Sequence, residues 1–416
     1  MNVQLSPLVA PFRGERYAAP RQSALWAPPY DVIGRDERIA YAARDPHNIV
    51  HLILPEAPAG RDRYTLAAER LAHWREAGVI VPDPADAVYV LAQTYALPSG
   101  ERRTRVGMFA AVAAESFSTR RVRPHERTHA EPKADRLALL RATRTNLESI
   151  FLLAPDADRA LAEALARVTA SAPDVRGELD EVDLRMWVVT GSAGQELATL
   201  AGRGPLYIAD GHHRYETAVA DASSRGGDGR VLGLIVPATD SGLTILPTHR
   251  IIFGAGRDSK KLLAEWSRWF EVGRVAPCMD RVERLAEIGR GRTACIVAFP
   301  DGFDVTLVLK RDAVLDDVPG LGKSAAVRAL DVARIETLVV KMILLTSTAT
   351  PSLVFTPDAR AAFGAVHSGG AAAAVLLNPT RVEEVFAVAD AGDVMPPKST
   401  YFIPKVPSGL VLRPSP

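Results

Sequence analysis

The segment PLYIADGHHRYETAV, which begins at Pro205, has the residue types of a phosphate-binding turn. A short apolar strand is expected to end at Asp210, and the spacing of the following apolar residues predicts a helix from about His212. Gly211 between them would allow a tight turn and the close approach of a ligand to the backbone. The start of a helix offers unpaired N–H groups, and Arg214 adds a planar fork suited to phosphate oxygens. The alternative is a capped turn with a surface arginine.

A second polar run, RPHERTHAEPKADR at residues 123–136, contains carboxylates and imidazoles. A general base for a hydroxyl nucleophile must lie within hydrogen-bond reach of it, and this run could supply one. The alternative, which the sequence alone favours, is a solvated loop of mixed charge ahead of a helix. The candidate groups of the run are Glu126, Glu131, Asp135, His125 and His129.

Two other patterns that carry chemistry are weaker. The GLGKS segment at 320–324 resembles the end of a P-loop, but Asp317 stands where that motif requires its first glycine. No histidine pair has the helical spacing of a zinc site with a glutamate base, so a metal site built by the protein alone is not expected. The polar residues of DPHNIVHL, which begins at Asp45, are interpreted as structural, with the wall of a ligand site as the alternative.

The elements that must position these groups are predicted from hydrophobic periodicity. Apolar residues recur at helical spacing in four segments, 64–74, 161–168, 335–342 and 382–389. Short β-branched or aromatic runs predict strands at 88–93, 149–153, 186–189, 206–209, 231–236, 294–299 and 305–309. Strands and helices alternate irregularly, which predicts an α+β or mixed α/β fold with seams near 116–120 and 254–258.

The composition excludes several classes of protein. The 416 residues are 47% hydrophobic and 24% charged, which is typical of a soluble globular protein. Fifty Lys and Arg against 49 Asp and Glu argue against a chain that coats nucleic acid or anionic lipid. No long apolar run and no signal pattern are present, and Cys278 and Cys295 do not make a disulfide framework. We therefore expect a cytoplasmic protein without nucleic-acid or membrane partners.

Several segments, in order along the chain, resemble the signature of the DUF1015 family. They are PFRGERY, APPYDVI, NIVHL, RPHERTHAEPKADRLALLRAT, YIADGHHRYETA, ILPTHR, LNPTRVEEV and MPPKSTYFIPKVPSGLV. That family belongs to the ParB/sulfiredoxin-like superfamily and is related to free-serine kinases of the SerK type. The resemblance implies a ParB/sulfiredoxin-like central domain at 119–254, between an N-terminal α/β region at 1–118 and a C-terminal α/β region at 255–416.

The resemblance also implies roles for the two polar segments. In the superfamily the turn equivalent to DGHHR binds nucleotide phosphates, and SerK-type kinases use a glutamate beside a histidine as the proposed catalytic base. Glu126 is accordingly expected to be the base, with His125 beside it. His212 stands where sulfiredoxins have their attacking cysteine, so sulfiredoxin chemistry is not expected. The residues expected to bind nucleotide phosphates are Asp210, Gly211, His212, His213 and Arg214.

The function implied by the resemblance is phosphotransfer from ATP or ADP, with Mg²⁺, to a small hydroxyl amino acid, with L-serine as the first candidate. An amino-acid carboxylate needs a cation, and Arg123, Arg127 and Arg250 are the candidates. Two alternatives stay open, namely a nucleotide-binding regulatory protein without turnover and the hydrolysis of phosphoserine at the same site. The sequence does not distinguish ATP from ADP, nor one oligomeric state from another.

Overall fold

The computed structural model describes the chain as two compact units. Unit 1 comprises Met1–Thr244 and Pro404–Pro416, and unit 2 comprises Ile245–Ile403. The described residues exclude 1–5, 19–21, 129, 226–228, 255–258, 276–279, 303, 317, 346–349 and 416, and the side chains of Glu131, Arg225, Ser259 and Lys260. Each unit combines helices with a sheet, which confirms the predicted mixed α/β class.

The strands, numbered in chain order, are β1 Val9–Ala10, β2 Glu15–Tyr17, β3 Ile80–Pro82, β4 Ala87–Ala96, β5 Arg102–Ala113, β6 Val122–Arg123, β7 Thr145–Asn146, β8 Ile150–Ala154, β9 Val175–Leu179, β10 Val182–Thr190, β11 Leu206–Asp210, β12 Arg230–Pro237, β13 Thr244–Leu246, β14 His249–Phe253, β15 Phe270–Arg274, β16 Ala294–Ala298, β17 Val305–Leu309, β18 Ser352–Thr356, β19 Ala373–Leu377, β20 Tyr401–Ile403 and β21 Arg413–Pro414.

The helices are α1 Arg35–Arg44, α2 Val50–Ile53, α3 Arg63–Glu76, α4 Ala130–Thr143, α5 Ala160–Thr169, α6 Gly191–Ala201, α7 His212–Arg225, α8 Ser259–Trp266, α9 Arg281–Ile288, α10 Ala325–Ala329, α11 Asp331–Ile335, α12 Lys341–Leu345, α13 Ala359–His367 and α14 Val382–Asp390. A π-helical segment, Glu336–Val340, joins α11 to α12. Short 3₁₀ helices lie at Ser23–Leu25, Tyr30–Val32 and Phe117–Thr119. Among the described residues, none of the helices has both the length and the apolar character that crossing a bilayer requires.

A nine-stranded sheet forms the centre of unit 1. Its strands follow the order β6-β11-β8-β12-β5-β4-β10-β9, and β1 also pairs with β5. Most neighbours are antiparallel, but β6 is parallel to β11 and β8 is parallel to β12. A ladder of hydrogen bonds between β5 and β12 joins strands from both sides of residue 118. The division into ranges 1–118, 119–254 and 255–416 stays a prediction.

Both faces of this sheet are buried in its central strands. Val88 and Val90 of β4 share a buried cluster with Leu161 and Leu165 of α5. Successive side chains of a strand point to opposite faces, so Tyr89 lies on the other face, where it is also buried. Burial on both faces explains why the predicted strand at 88–93 is almost continuously apolar.

Unit 2 contains an antiparallel sheet of six strands, in the order β15-β17-β16-β19-β14-β18. Alternate residues of β16 face two buried clusters. Val297 packs with Ile335 and Val339 on one face, and Ile296 packs with Val366 on the other. The alanine run at 371–374 runs into β19, all of whose residues are buried.

The chain returns to unit 1 at Pro404 and pairs there with the N-terminal region. Glu15 forms a β-bridge with Leu412, and Ala27 forms one with Ser408. The PFRGERY and APPYDVI segments are therefore neighbours of the C-terminal KVPSGLV segment, although almost the whole chain separates them.

Candidate functional site

The two polar segments of the sequence meet at one edge of the unit 1 sheet. β6 pairs in parallel with β11, and Arg123 lies opposite Tyr207. The carboxyl ends of parallel strands lie at the same edge of a sheet, which is where ligands bind in many α/β proteins. The segments PHE at 124–126 and DGHHR at 210–214 directly follow these two strands. They therefore lie side by side.

A β-bulge sets the direction of the Asp210 side chain. Ile208 of β11 lies opposite Leu152 of β8, but Asp210 lies opposite Phe151, which leaves Ala209 as an extra residue. Ile208 and Leu152 belong to the apolar cluster that includes residues of α5, α6 and α7. The extra residue reverses the alternation of side chains, so Asp210 takes the opposite face from Ile208. Regular pairing would instead direct this carboxylate into the apolar core.

The turn between β11 and α7 depends on Gly211, whose φ is +87°. Residues with a side chain rarely adopt this left-handed conformation. A Cβ atom at Gly211 would also lie 3.1 Å from the guanidinium of Arg214, which is folded back over the turn. Glycine therefore permits the predicted tight turn and also leaves room for the arginine.

Arg214 is a buried arginine, with 9% of its side chain exposed, and not the surface arginine of the alternative interpretation. Its guanidinium donates to the carbonyl oxygen of Ser149, and its Nη2 lies 3.4 Å from Oδ2 of Asp210. Burial disfavours the charge, but the carboxylates of Asp31, Glu148 and Asp210 outweigh burial and raise the pKa of this arginine above its ordinary value. Arg214 thus braces the turn from inside the protein.

Two buried histidines join the PHE segment to the start of α7. His125 Nδ1 lies 2.8 Å from the carbonyl oxygen of Ile208, so this nitrogen carries the proton. The backbone N–H of His125 donates to Nε2 of His212 at 3.3 Å, so His212 carries its proton on Nδ1. Burial lowers the pKa of His125 to about 4 and that of His212 well below its ordinary value. Both rings are therefore neutral at pH 7 and each has a defined tautomer.

Glu126 borders this histidine pair. Its Oε2 lies 4.0 Å from Nδ1 of His212, and 37% of its side chain is exposed. The neutral N–H of His212 faces the carboxylate at a distance longer than a hydrogen bond, and a neutral ring forms no ion pair with it. A carboxylate that is reachable from solvent and lies beside a helix start is in a position to accept a proton from a bound hydroxyl group.

A buried charge network, which sequence reasoning did not find, lies behind Arg214. Glu148 accepts a hydrogen bond from the backbone N–H of Tyr30 at 2.9 Å and lies 3.4 Å from Nη1 of Arg136. Arg136 lies 4.0 Å from the centroid of the Tyr30 ring. Burial raises the pKa of Glu148, although Arg214 and Arg136 oppose this shift. An acidic residue directly before an apolar strand, as in NLESIFLLA, is the sequence signal that could have identified the network.

The other candidates near this edge differ in their surroundings. Arg123 donates to the carbonyl oxygen of Arg120 and to the hydroxyl of Tyr207. Arg127 is exposed, and His213 is half-buried at the start of α7. Two further groups of the polar run, the residue His129 and the side chain of Glu131, lie outside the described part of the chain.

Asp135 and Arg250 have ionic partners within the protein. The Asp135 carboxylate accepts hydrogen bonds from Arg63, Tyr64 and Arg136. Arg250 lies in unit 2, where it is buried in β14, donates to the carbonyl oxygen of Thr248 and lies 3.2 Å from Oε2 of Glu336. Substrate binding by Arg250 stays a prediction.

Metal ligands are few in the part of the chain that the structure describes, where no group of three or more His, Cys, Asp or Glu side chains is arranged to hold an ion. Mg²⁺ requires fewer protein ligands, since one or two carboxylates together with substrate phosphates hold it. Asp210, which the bulge turns away from the apolar core, is the carboxylate that fits this requirement.

Comparison with known proteins identifies one family over most of the chain. A family model described as a protein of unknown function (DUF1015) matches residues 9–392. Similar solved structures include a conserved hypothetical protein from Pyrococcus furiosus, with 13% identity and a TM-score of 0.36, covering 74% of this chain and 95% of that chain. A free serine kinase in complex with AMP has 13% identity and a TM-score of 0.37, covering 73% and 92%. SbnI with a C-terminal truncation, from Staphylococcus aureus, has 11% identity and a TM-score of 0.37, covering 73% and 87%. A search of curated proteins finds no match.

Proposed function

The chain belongs to the DUF1015 family, and we propose that its site is that of a nucleotide-dependent phosphotransferase acting on a small hydroxyl amino acid. One observation carries the proposal. Glu126 and the Gly211 turn follow two paired parallel strands, and Oε2 of Glu126 comes within 4.0 Å of His212 in the first turn of α7. A proton acceptor and a candidate phosphate-binding turn are therefore close enough to serve one pair of small ligands.

The nucleotide phosphates would lie on the turn from Asp210 to Arg214. The first N–H groups of a helix have no partners within the helix and lie at the positive end of its dipole. Gly211 presents no side chain that would keep a phosphate from the backbone. Arg214, held by the Ser149 carbonyl, keeps its positive charge directly at the turn. These features support the proposal because phosphoryl transfer needs mainly positioning and charge neutralisation.

Glu126 would act as the general base. The hydroxyl oxygen of the acceptor forms a bond to the terminal phosphorus of the nucleotide while its proton passes to the Glu126 carboxylate. The bond from that phosphorus to the bridging oxygen breaks, and the shortened nucleotide leaves with the electron pair. His212 would hold the carboxylate in place through its Nδ1–H. Mg²⁺, when bound with the nucleotide, neutralises part of the phosphate charge, and Asp210 would be its protein ligand.

L-serine is the first acceptor to test because the sequence resembles SerK-type kinases. A free amino acid carries a carboxylate and an ammonium group, so its site needs a cation as well as an anion. Arg123 and Arg127, on either side of Glu126 in sequence, would supply the cation. A site that pairs both ends rejects analogues that lack one of them, because an unpaired buried charge is unfavourable.

Product analysis tests the proposal. The full-length protein is incubated with Mg²⁺, ATP or ADP, and L-serine, and O-phosphoserine is detected by phosphorus NMR. Ethanolamine, which lacks the carboxylate, and glycerate, which lacks the ammonium group, serve as matched acceptors and are expected to react poorly. Equal nucleotide turnover with all three acceptors, or with none, contradicts the assignment of serine. Phosphate release from phosphoserine without nucleotide would favour a phosphatase, and nucleotide binding without any product would favour a regulatory protein.

A further inference from the structure

Lys405 belongs to the C-terminal segment that returns to unit 1, and it lies beside the turn after β11. Its Nζ is 3.6 Å from Oδ2 of Asp210, the same oxygen that faces Arg214 at 3.4 Å. Both distances exceed the usual length of a charge-assisted hydrogen bond, so Asp210 holds the two cations loosely. Lys405 is also the more accessible of the two, with 21% of its side chain exposed against 9% for Arg214.

The backbone at Lys405 is held by a buried pair of side chains, Gln93 and Arg105, which we call the carbonyl clamp. Gln93 Nε2 donates to the carbonyl oxygen of Lys405 at 3.1 Å, and Arg105 Nη2 donates to that of Pro404 at 2.7 Å. Arg105 Nη2 also donates to Oε1 of Gln93 at 2.5 Å, which fixes the orientation of the amide. Two consecutive carbonyl groups are thus bound by two adjacent strands, β4 and β5. The prolines at 404 and 407 further restrict this segment.

The positive charge of Arg105 is energetically unfavourable at its position, because the side chain is fully buried within the sheet. Its guanidinium lies 4.6 Å from the centroid of the Phe151 ring, and Phe151 pairs with Asp210 across β8 and β11. Burial lowers the pKa of Arg105 to about 10, and nearby acidic groups that include Asp210 oppose this. An apolar side chain would avoid the penalty of burial but would bind no carbonyl group. The fold therefore uses a buried charge to fix the chain at Lys405.

We propose that Lys405 is a further phosphate-binding residue of the site, and that Gln93 and Arg105 are positioning residues that hold it there. The inference rests on the proposed phosphate-binding role of the turn. Arg214 is fixed by the Ser149 carbonyl and by its packing over the turn. Lys405 is anchored through its backbone, and its Nζ lies 3.6 Å from Asp210, so its ammonium group lies at the turn on which the phosphates would bind. A compact charge on a flexible stem suits this task.

Calorimetric titration of the full-length protein with ADP and with pyrophosphate tests the inference. Lys405→Met is expected to weaken the binding of both ligands by roughly 10- to 100-fold, the effect of losing one charge-assisted contact. Lys405→Arg keeps the charge, and its affinity for both ligands should stay within about tenfold of that of the wild type. Lys341→Met, which removes an exposed lysine of unit 2, is the matched control and should bind like the wild type. Thermal unfolding of each variant checks that it is folded.

The role of the carbonyl clamp is tested by asking whether the losses of binding free energy in two single variants add up in the double variant. Gln93→Glu keeps the shape of the side chain and its acceptor for Arg105 but removes the N–H that binds the Lys405 carbonyl. This variant should weaken pyrophosphate binding, and Lys405→Met should then cause little further loss in the double variant, because the two changes act through one contact. If the losses of pyrophosphate affinity in Gln93→Glu and Lys405→Met simply add in the double variant, Gln93 only stabilises the fold and the positioning role is overturned.

The outcomes separate this inference from the proposed function. Equal affinity of wild type and Lys405→Met for ADP overturns the role of Lys405 and leaves the phosphotransferase proposal in place. Pyrophosphate binding that depends on Lys405, without any binding of ADP, supports the inference and contradicts a nucleotide site. A wild-type protein that binds neither ligand overturns both.

Discussion

Arg214 in unit 1 and Arg250 in unit 2 are two buried arginines with similar partners and opposite electrostatics. Each donates to a carbonyl oxygen and pairs with one carboxylate, Asp210 for Arg214 and Glu336 for Arg250. Burial lowers the pKa of Arg250, although Glu336 opposes this. The pKa of Arg214 is raised, because additional carboxylates around it outweigh burial.

Under the proposed function, the difference between the two arginines is one between an anion-binding residue and a structural ion pair. Arg250 is stacked on the Phe355 ring within an antiparallel sheet, and the effect of burial on its pKa outweighs that of Glu336. Arg214 lies at a glycine turn, at a helix start and at the carboxyl ends of parallel strands, and it is held charged by a surplus of acidic groups. The following predictions test whether the chemistry belongs to unit 1 alone.

The largest expected effect is the loss of turnover in Glu126→Gln. The substitution keeps the shape of the side chain but removes the proton acceptor, so we expect turnover to fall by roughly 10² to 10⁴ while nucleotide affinity stays close to that of the wild type. Glu336→Gln in unit 2 is the matched control and should keep its turnover. Phosphoserine formation and calorimetric binding are measured on both folded variants. Full turnover in Glu126→Gln would move the role of base to Glu131 or Asp135.

Removal of either buried arginine is expected to destabilise the protein, but by different amounts. Arg214→Met removes a cation shared by the Asp31, Glu148 and Asp210 carboxylates and leaves Glu148 with Arg136 alone, which should lower the free energy of unfolding by about 3–5 kcal/mol. Arg250→Met leaves Glu336, which is partly exposed and can be hydrated, so the loss should be roughly 1.5–3 kcal/mol. Urea denaturation measures both values, and only Arg214→Met should also weaken nucleotide binding. Equal losses of stability and affinity would remove the distinction between the two arginines.

Acid should destabilise both units through a buried histidine in each. Burial lowers the pKa of His125 and of His249 to about 4, from an ordinary value of 6.5. The unfolded chain therefore binds more protons in this window, so stability is present above about pH 6.5 and is lost as the pH falls toward 4. Each shift corresponds to about 3 kcal/mol over the whole window. Urea denaturation at pH 7 and pH 5 measures the loss.

The same experiment on variants assigns the acid sensitivity to its source. His125→Gln and His249→Gln remove one titrating group each and should each reduce the difference in stability between pH 7 and pH 5. If neither variant reduces that difference, other groups account for the acid sensitivity.

The smallest expected effect concerns Arg127, which is exposed at the edge of the site. Arg127→Ala should change the free energy of unfolding by less than about 0.5 kcal/mol. If its guanidinium pairs with the serine carboxylate, the KM for serine should rise by up to about fivefold, the range of an exposed ion pair. Arg360→Ala in unit 2 serves as the control and should change neither value. An unchanged KM for serine would exclude Arg127 from substrate binding.

Much of the local structure was predictable because its causes are local. The strand ending at Asp210, the turn at Gly211 and the helix from His212 follow from a short apolar run, one glycine and helical spacing. The helix predicted at 161–168 forms as α5, and Asp156 accepts hydrogen bonds from two N–H groups of its first turn. The ParB/sulfiredoxin-like assignment of residues 119–254 stays a prediction.

Which residues meet at the site was less predictable, because their contacts depend on strand pairing. Arg214 has the appearance of a surface arginine in the sequence, and only the pairing of β8 with β11 brings Ser149 to its guanidinium. The position of Glu148 before an apolar strand is its one local signal, and its partners Tyr30 and Arg136 come from other segments of the chain. Strand pairing also decides which distant segments share unit 1, since β5 and β12 pair across residue 118.

The sequence by itself determined which segments become strands and helices, where the glycine turn lies, and which side chains are chemically able to bind phosphate or accept a proton. Those properties depend on neighbours a few residues away. Only the tertiary structure decided which of these groups meet. Gln93 and Lys405, whose contact fixes the second cation beside Asp210, are 312 positions apart. A contact of that range forms because the sheet and the returning C-terminal segment bury their backbone groups together, and no local pattern encodes it.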